Sequence, residues 1–367
     1  MEPKDEDIIT LGKSILVPSV QELAKENLET VPPSYIQLNI EDPPTVGVDD
    51  NFGNSYHNEL PIINMETLLS GDDIELEKLH SACQEWGFFQ LIDHGVNTSL
   101  VEKLKLETEE FFDLPLEEKK KYAQTSNEME GYGQAFVVSE DQKRDWADVF
   151  LFTTLPKCRR RPNLLPMLPL PYRDTLESYS AELQNLAIKL LDCMSRALKI
   201  DTKVLRRVFG DEGLQSFRMN YYPPCKQPDK VMGLTAHSDA VSLTILLQYN
   251  DVIGLQIKKD GKWVSVKPLL KAFVVNIGDI LEIATNGIYR SILHRSVVNS
   301  TKERISIATF HMPALDAEIG PISELIKPGT PAQFRQISVA DYFKGYFSRA
   351  LDEKSYLDVM RINEKHT

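Results

Sequence analysis

The sequence predicts an α+β protein, with a β-rich core folded as an antiparallel barrel or double-sheet jelly roll and α-helices around it. Two observations carry this. In residues 173–200, Leu183, Leu186, Ala187, Leu190, Leu191, Met194, Ala197 and Leu198 recur at i, i+3 and i+4, the stripe of a core-facing helix. From about Leu214 the period changes to two. SFRMNYY, VMGLTAH, LTILLQ, GLQIKK, KWVSVKP, AFVVNIG, ILEIAT, SILHRSVVN and RISIATF follow one another, separated by turn signals and with no helical pattern between them. Asp260-Gly261 is the best hairpin turn among them.

Taken in order, residues 1–58 are mixed and poorly periodic and read as an N-terminal extension with an exposed connection at VDDNFGNSYHNE. LPIINM (60–65) is a first strand. IELEKLHSACQEWG (74–87) has helical spacing through Leu76, Leu79 and Ala82 and stops at Gly87. FFQLIDH is the next strand, turning at Gly95, and a second helix runs from about Ser99 to Phe112. The Pro-rich stretch 155–171 suits neither a regular helix nor a central strand and is expected to be a covering loop or linker. The tail from Ser338 to Arg361 is helical again.

At 367 residues the chain is long for one compact core and suggests two folding units. Its net charge of −13, with no basic stripe, argues against a nucleic-acid partner. The acidic start MEPKDEDIIT lacks the cationic and apolar regions of a signal peptide, and no apolar run is long enough for a bilayer, so no membrane partner is expected. Cys83, Cys158, Cys193 and Cys225 are far apart and form no CxxC, as expected for reduced thiols in a cytoplasmic protein. A monomer is the expected state.

Within LTAHSDAVSLTILLQ (234–248), His237 and Asp239 are two apart and share a strand face, where neither is cheap to bury unpaired. With 7 His and 54 acidic residues, chance alone supplies about one His-x-acid pair, so the pair needs support from elsewhere. The only other such pair, His57-x-Glu59, lies in a polar loop and reads as solvated surface. Among the other histidines, His80 sits on a helix, His94 ends a strand where a turn-stabilising hydrogen bond suffices, His366 is in the tail, and His311 falls on the opposite strand face. His294 in SILHRSVVN remains as a third ligand. Two imidazoles and one carboxylate suit a non-haem Fe(II) oxygenase; zinc in a hydrolytic site accepts the same set.

RISIATF favours the oxygenase. Arg304, Ser306, Ala308 and Phe310 share one face, and an arginine opening an apolar run needs a partner. A guanidinium with a hydroxyl two residues on can clamp a carboxylate. In FRMNYYPP, Arg218, Asn220 and Tyr222 share a face, and the Tyr222 hydroxyl can reach the same anion. An internal salt bridge from Arg304 to a core acid is the alternative.

At HSD (237–239), His294 and RIS (304–306) the chain resembles the plant iron(II)/2-oxoglutarate-dependent dioxygenases. NYYPPC, GLTAHSD, LTILLQ, GLQI, FVVNIGD, NGIYRSILHR and ERISIATFH keep that family's order and spacing, and LPIINM, CQEWGFFQLIDHGV and DWADVF resemble its N-terminal domain. The nearest likeness is to the senescence-related subgroup that contains the morphinan O-demethylases. The resemblance implies a double-stranded β-helix (jelly-roll, cupin-like) core flanked by α-helices. It implies an N-terminal dioxygenase domain at 59–165, the catalytic jelly roll at 213–313 and a C-terminal helical segment at 314–367. By the same resemblance His237, Asp239 and His294 are iron ligands, and Arg304 and Ser306 hold the distal carboxylate of 2-oxoglutarate, with Asn220 and Tyr222 nearby. Fe(II), 2-oxoglutarate and O2 are then required, with ascorbate stimulatory. The substrate is a small hydrophobic plant metabolite such as an alkaloid or flavonoid, hydroxylated or O-demethylated as 2-oxoglutarate becomes succinate and CO2. Ala240-Val241-Ser242, Leu293 and Ser34 depart from the common pattern, the first two in ways that can reshape a pocket wall. Phe310, by pleat parity, and Phe136, in GYGQAFVV, are candidate substrate contacts. A catalytically silent binding protein on the same fold is the alternative.

Overall fold

A computed structural model of the chain describes residues 14–26, 28–37, 40–41, 59–125, 128–135, 137, 139–209, 213–347 and 356–362. Its strands are β1 (Ile62–Asn64), β2 (Phe88–Ile92), β3 (Gly131–Gly133), β4 (Asp148–Leu155), β5 (Leu214–Tyr222), β6 (Leu234–His237), β7 (Leu243–Gln248), β8 (Leu255–Lys259), β9 (Lys262–Ser265), β10 (Phe273–Ile277), β11 (His294–Ser296) and β12 (Arg304–Met312), followed by the short pair β13 (Glu318–Ile319) and β14 (Ile337–Ser338). The helices are α1 (Val20–Lys25), α2 (Met65–Ser70), α3 (Asp73–Ser81), α4 (Thr98–Asp113), α5 (Leu116–Lys119), α6 (Leu170–Ala197), α7 (Val204–Phe209), α8 (Asp279–Ala284), α9 (Val339–Phe347) and α10 (Leu357–Met360).

Among the described residues, a large sheet runs in the order β1-β2-β10-β7-β12-β5-β4-β3 and a small one in the order β6-β11-β8-β9. Only β1–β2 pairs in parallel within them. The sheets close on each other through a shared apolar layer: Phe88 and Val274 of the large sheet pack with Leu255 and Ile257 of the small one. This is the jelly roll of the sequence prediction. Pleat parity sorts the large sheet into two faces. Ile305 and Ile307 of β12 belong to the larger core, with α4 and α6 supplying Leu104, Phe112, Leu183 and Leu190. Arg304, Ser306, Ala308 and Phe310 take the opposite face, towards the inside of the roll.

The predicted strands form, with one exception. ILEIAT, read as a strand, is helix α8, buried at every position from Asp279 to Ala284. A six-residue apolar run buried all round shows neither period, and the start signals decide it: Gly278 precedes Asp279, and the acids Asp279 and Glu282 sit in the first turn. The Asp260-Gly261 turn has φ 49° and 78°, the two left-handed residues a type I′ hairpin requires, and Lys259 pairs with Lys262 across it. The Pro-rich stretch is a connection only in its middle. Leu155 ends β4, and α6 begins at Leu170, three residues earlier than expected, because Pro171 fits a helix's first turn. The cysteines are all free. No helix among the described residues is long and apolar enough to cross a membrane.

The N-terminal extension does not simply trail off. Ile15 donates to Val137 O at 2.8 Å, and the Ser14 hydroxyl donates to Gln134 O at 2.9 Å. The carboxylate of Asp148, fully buried on β4, accepts from Val20 N at 2.7 Å, Gln21 N at 3.2 Å, the Ser19 hydroxyl at 2.5 Å and the Tyr132 hydroxyl at 2.9 Å. One side chain thus satisfies the amides that open α1 and fastens the extension to the sheet edge. Asp148→Ala strands these donors, and stability is expected to fall by at least about 2 kcal/mol in chemical denaturation, with earlier proteolytic cleavage before residue 37.

Candidate metal centre and cavity

His237 ends β6 and His294 opens β11, and the two positions pair directly in the small sheet. Asp239 lies two residues past β6, at the end of the jelly roll. The three side chains converge, each offering a ligand atom within 4.8 Å of the others. Nε2 of His237 is 3.5 Å and Nε2 of His294 3.6 Å from the same oxygen, Asp239 Oδ1. The imidazole planes are fixed from behind. His237 Nδ1 lies 2.8 Å from Thr235 O and His294 Nδ1 3.2 Å from Ile292 O. A carbonyl only accepts, so each Nδ1 carries a proton and each Nε2 is the ring nitrogen turned to the centre. Phe88 presents its ring to His294 at 5.2 Å.

Asp239 is equally constrained. Its other oxygen, Oδ2, accepts from Thr244 Oγ1 at 2.6 Å and Asn276 Nδ2 at 2.7 Å. Burial opposes ionisation of this carboxyl, but the adjacent His294 and His237 and these bonds hold it well below the usual carboxylate range. Burial lowers His294 to about 4, so its imidazole is neutral near pH 7. Two imidazoles and one carboxylate oxygen, all on one side, are a donor set that fits a divalent first-row metal and leaves its other positions open.

The interior face of the large sheet lines up the anion-binding candidates. Arg304 pairs with Tyr222, and Ser306 lies between Asn220 and Gln248. Arg304 is only 3% exposed. It donates to Ser296 Oγ at 3.2 Å and Gln248 Oε1 at 3.3 Å, and lies 5.2 Å from the Tyr222 ring centroid. No carboxylate among the described residues forms an ion pair with it, so the internal salt bridge weighed above is not made. Burial lowers its pKa, and Nε has no partner among the described residues. Asn220 Nδ2 donates to Ser306 Oγ at 3.3 Å. Space for the guanidinium comes from Gly254, where a Cβ would sit 2.6 Å from Arg304 Cδ. Ser296 is two residues along β11 from His294, so the anion end lies roughly 7 Å from that ligand along the strand.

A cavity of about 270 Å³ opens on the metal side, with His237 and Asp239 in its wall. Phe310 lines it, as pleat parity predicts, beside Phe343, Tyr346 and Phe347 of α9. Ala240 and Val241 line it too, so part of the departure from the common pattern does shape the wall; Leu293 is not among the lining residues. Phe136 lies outside the described residues, while its neighbours Ala135 and Val137 line the cavity. The remaining described histidines stand apart. His80 bonds the Tyr289 hydroxyl, and His94 accepts from Val96 N at 3.1 Å in its turn. His311 is buried on the other face of β12, its pKa pushed down to about 3 by burial.

Sequence reasoning missed Thr244 and Asn276, the residues that aim Asp239. Their signal was faint: a polar residue at interior parity among the apolar residues of LTILLQ and FVVNIG. Thr244→Val or Asn276→Leu each removes one bond from Oδ2. Each is expected to weaken Mn(II) binding about 10-fold by isothermal titration, with the fold retained by circular dichroism.

Residues 213–313 match the family model of the 2OG-Fe(II) oxygenase superfamily, and residues 60–168 that of the non-haem dioxygenase in morphine synthesis N-terminal. The chain is 57% identical over 353 residues to Protein SRG1 of Arabidopsis thaliana, covering 95% of this chain and 97% of that protein. It is 50% identical over 362 residues to codeine O-demethylase of Papaver somniferum, covering 97% and 99%. A crystal structure of JOX2 in complex with 2OG, Fe and JA shares its fold with a TM-score of 0.85 at 33% identity, over 95% of this chain and 98% of that one. With a jelly roll whose two sheets bring two imidazoles and a carboxylate together beside a buried guanidinium, the chain belongs to the 2-oxoglutarate- and Fe(II)-dependent oxygenases and is a dioxygenase akin to those of plants.

Proposed function

We propose that His237, Asp239 and His294 hold Fe(II), that Arg304 and Ser306 hold the distal carboxylate of 2-oxoglutarate, and that the enzyme oxidises a small, ring-rich hydrophobic metabolite in the cavity. The observation that carries this is the charge of Arg304. A buried cation without a counter-ion is strongly destabilising, and here it is held ready by Ser296, Gln248 and Tyr222 beside a strand that also carries His294. A dicarboxylate cosubstrate supplies the missing charge and reaches the metal with its other end. Asn220 orients the Ser306 hydroxyl for the same anion. Iron and 2-oxoglutarate together supply the oxidising power for C–H cleavage, with succinate and CO2 as by-products.

The rest falls to the chain. Phe310, Phe343 and Phe347 offer flat apolar surface to the substrate and keep water from the reacting carbon. Asp239, held through Oδ2, would offer a metal Oδ1 alone. The likeness to codeine O-demethylase supports O-demethylation in preference to simple hydroxylation. We further propose a cytoplasmic monomer, stimulated by ascorbate.

Anaerobic addition of Fe(II) and 2-oxoglutarate is expected to give a weak visible charge-transfer band. Its absence would favour a silent binding protein. In Arg304→Ala the band should require far more 2-oxoglutarate, corresponding to about 2 kcal/mol or more of lost binding. Gly254→Ala, which crowds the same guanidinium, should raise the half-saturating 2-oxoglutarate about 10-fold, or about 1.4 kcal/mol, with Fe(II) affinity unchanged. Succinate release screened over methylated alkaloids and flavonoids, followed by product mass, tests the reaction: loss of CH2 means demethylation, gain of one oxygen hydroxylation.

A further inference from the structure

The strand that presents His237 is the least supported in the small sheet. β6 has four residues, none fully buried, at the sheet's edge. Among the described residues its only ladder partner is β11, and the register shifts between the pairs His294–His237 and Ser296–Leu234. An irregular edge pairing of this length does not by itself fix where an imidazole points. Something else must hold β6.

That hold comes from Asp145, in the segment before β4. Its Oδ1 accepts from both the peptide N–H of Thr235, at 2.9 Å, and the Thr235 hydroxyl, at 2.6 Å. Thr235 is the residue whose carbonyl takes the Nδ1 proton of His237. The next residue, Trp146, donates its N–H to Met232 O at 2.7 Å, so residues 145–146 run beside the start of β6 like a partner strand. This segment is itself anchored. Arg144 N donates to Ser34 O at 2.9 Å, and the buried Trp146 ring meets Tyr35 edge-on at 5.2 Å.

We propose that Asp145 is a positioning residue for the metal centre: by clamping Thr235 through two hydrogen bonds it fixes the carbonyl that orients His237. The inference rests on the assignment of His237 as a metal ligand. It goes beyond that assignment, because it makes a side chain outside residues 213–313 a determinant of metal binding.

Mn(II) titration by calorimetry on the full chain, together with the ligand-field spectrum of the Co(II) form, tests it. Asp145→Ala should weaken Mn(II) binding at least about 10-fold and alter the Co(II) spectrum. Asp145→Asn, which keeps an acceptor oxygen, and Thr235→Val, which keeps the peptide N–H, should each lose less. Unchanged Mn(II) affinity and Co(II) spectrum in Asp145→Ala overturns the proposal. So does a change in the organic substrate's KM alone, which would confine Asp145, itself a lining residue of the cavity, to a role in the cavity wall. If Asp145→Ala fails to fold, wild-type affinity in both Asp145→Asn and Thr235→Val overturns it instead. His237→Ala separates the two levels: if it binds Mn(II) like the wild type, the ligand assignment fails, whereas loss there with no effect at Asp145 sinks only the present inference.

Discussion

The structure turns on a buried carboxylate with two differently employed oxygens. Taking the Asp239 side chain out of water costs several kcal/mol unless its lone pairs are satisfied. The large sheet satisfies one oxygen, through Thr244 of β7 and Asn276 of β10, which are register partners. The other oxygen faces imidazoles carried by the small sheet. Closing the sheets and assembling the site are therefore one event. The apolar layer of Phe88, Val274, Leu255 and Ile257 drives closure, and the carboxylate sets where it stops. This arrangement also explains why the acid offers a single oxygen to the centre: the second is already engaged.

One strand face divides the labour. Along β12, alternate residues pass from Arg304 and Ser306 to Ala308 and Phe310, so the same pleat that carries a cation and a hydroxyl at one end carries an aromatic ring at the other. The cation is kept charged yet unneutralised by neighbours that are polar but not acidic, and by a glycine that leaves it room. The aromatic end meets α9, from the far end of the chain, and these rings close the cavity. One β-sheet face thus offers chemically opposite surfaces at its two ends, which is what the proposed division between cosubstrate and substrate requires.

The N-terminal half contributes more than a scaffold. Asp145 and Asp148 stand three apart, and both carboxylates bond elements distant in sequence, one reaching β6 and the other α1. Ala147, between them, lines the cavity. Ile15, Ser34 and Tyr35 pack against Val137, Arg144 and Trp146 through backbone bonds and the Tyr35–Trp146 contact. The wall of the cavity is therefore braced by chain that precedes the first strand.

The sequence by itself determined the parts whose signal is periodic or chemically costly. Period-two segments located the strands, and the 3.6-residue stripe located α6. A histidine and an acid two apart in an apolar strand, and an arginine opening another, marked groups that burial penalises unless a partner is waiting. Only the tertiary structure decided the rest. ILEIAT became a helix because a short run buried on every side carries no period. Thr244, Asn276 and Asp145 found their roles because a lone polar residue in a strand or loop does not say which distant atom it will meet. The aromatic wall from α9 depends on where the chain returns in space. Hydrogen bonds are short-ranged and directional, so their partners are set by the approach of elements far apart in sequence, while periodicity and burial cost are local properties that the sequence writes down directly.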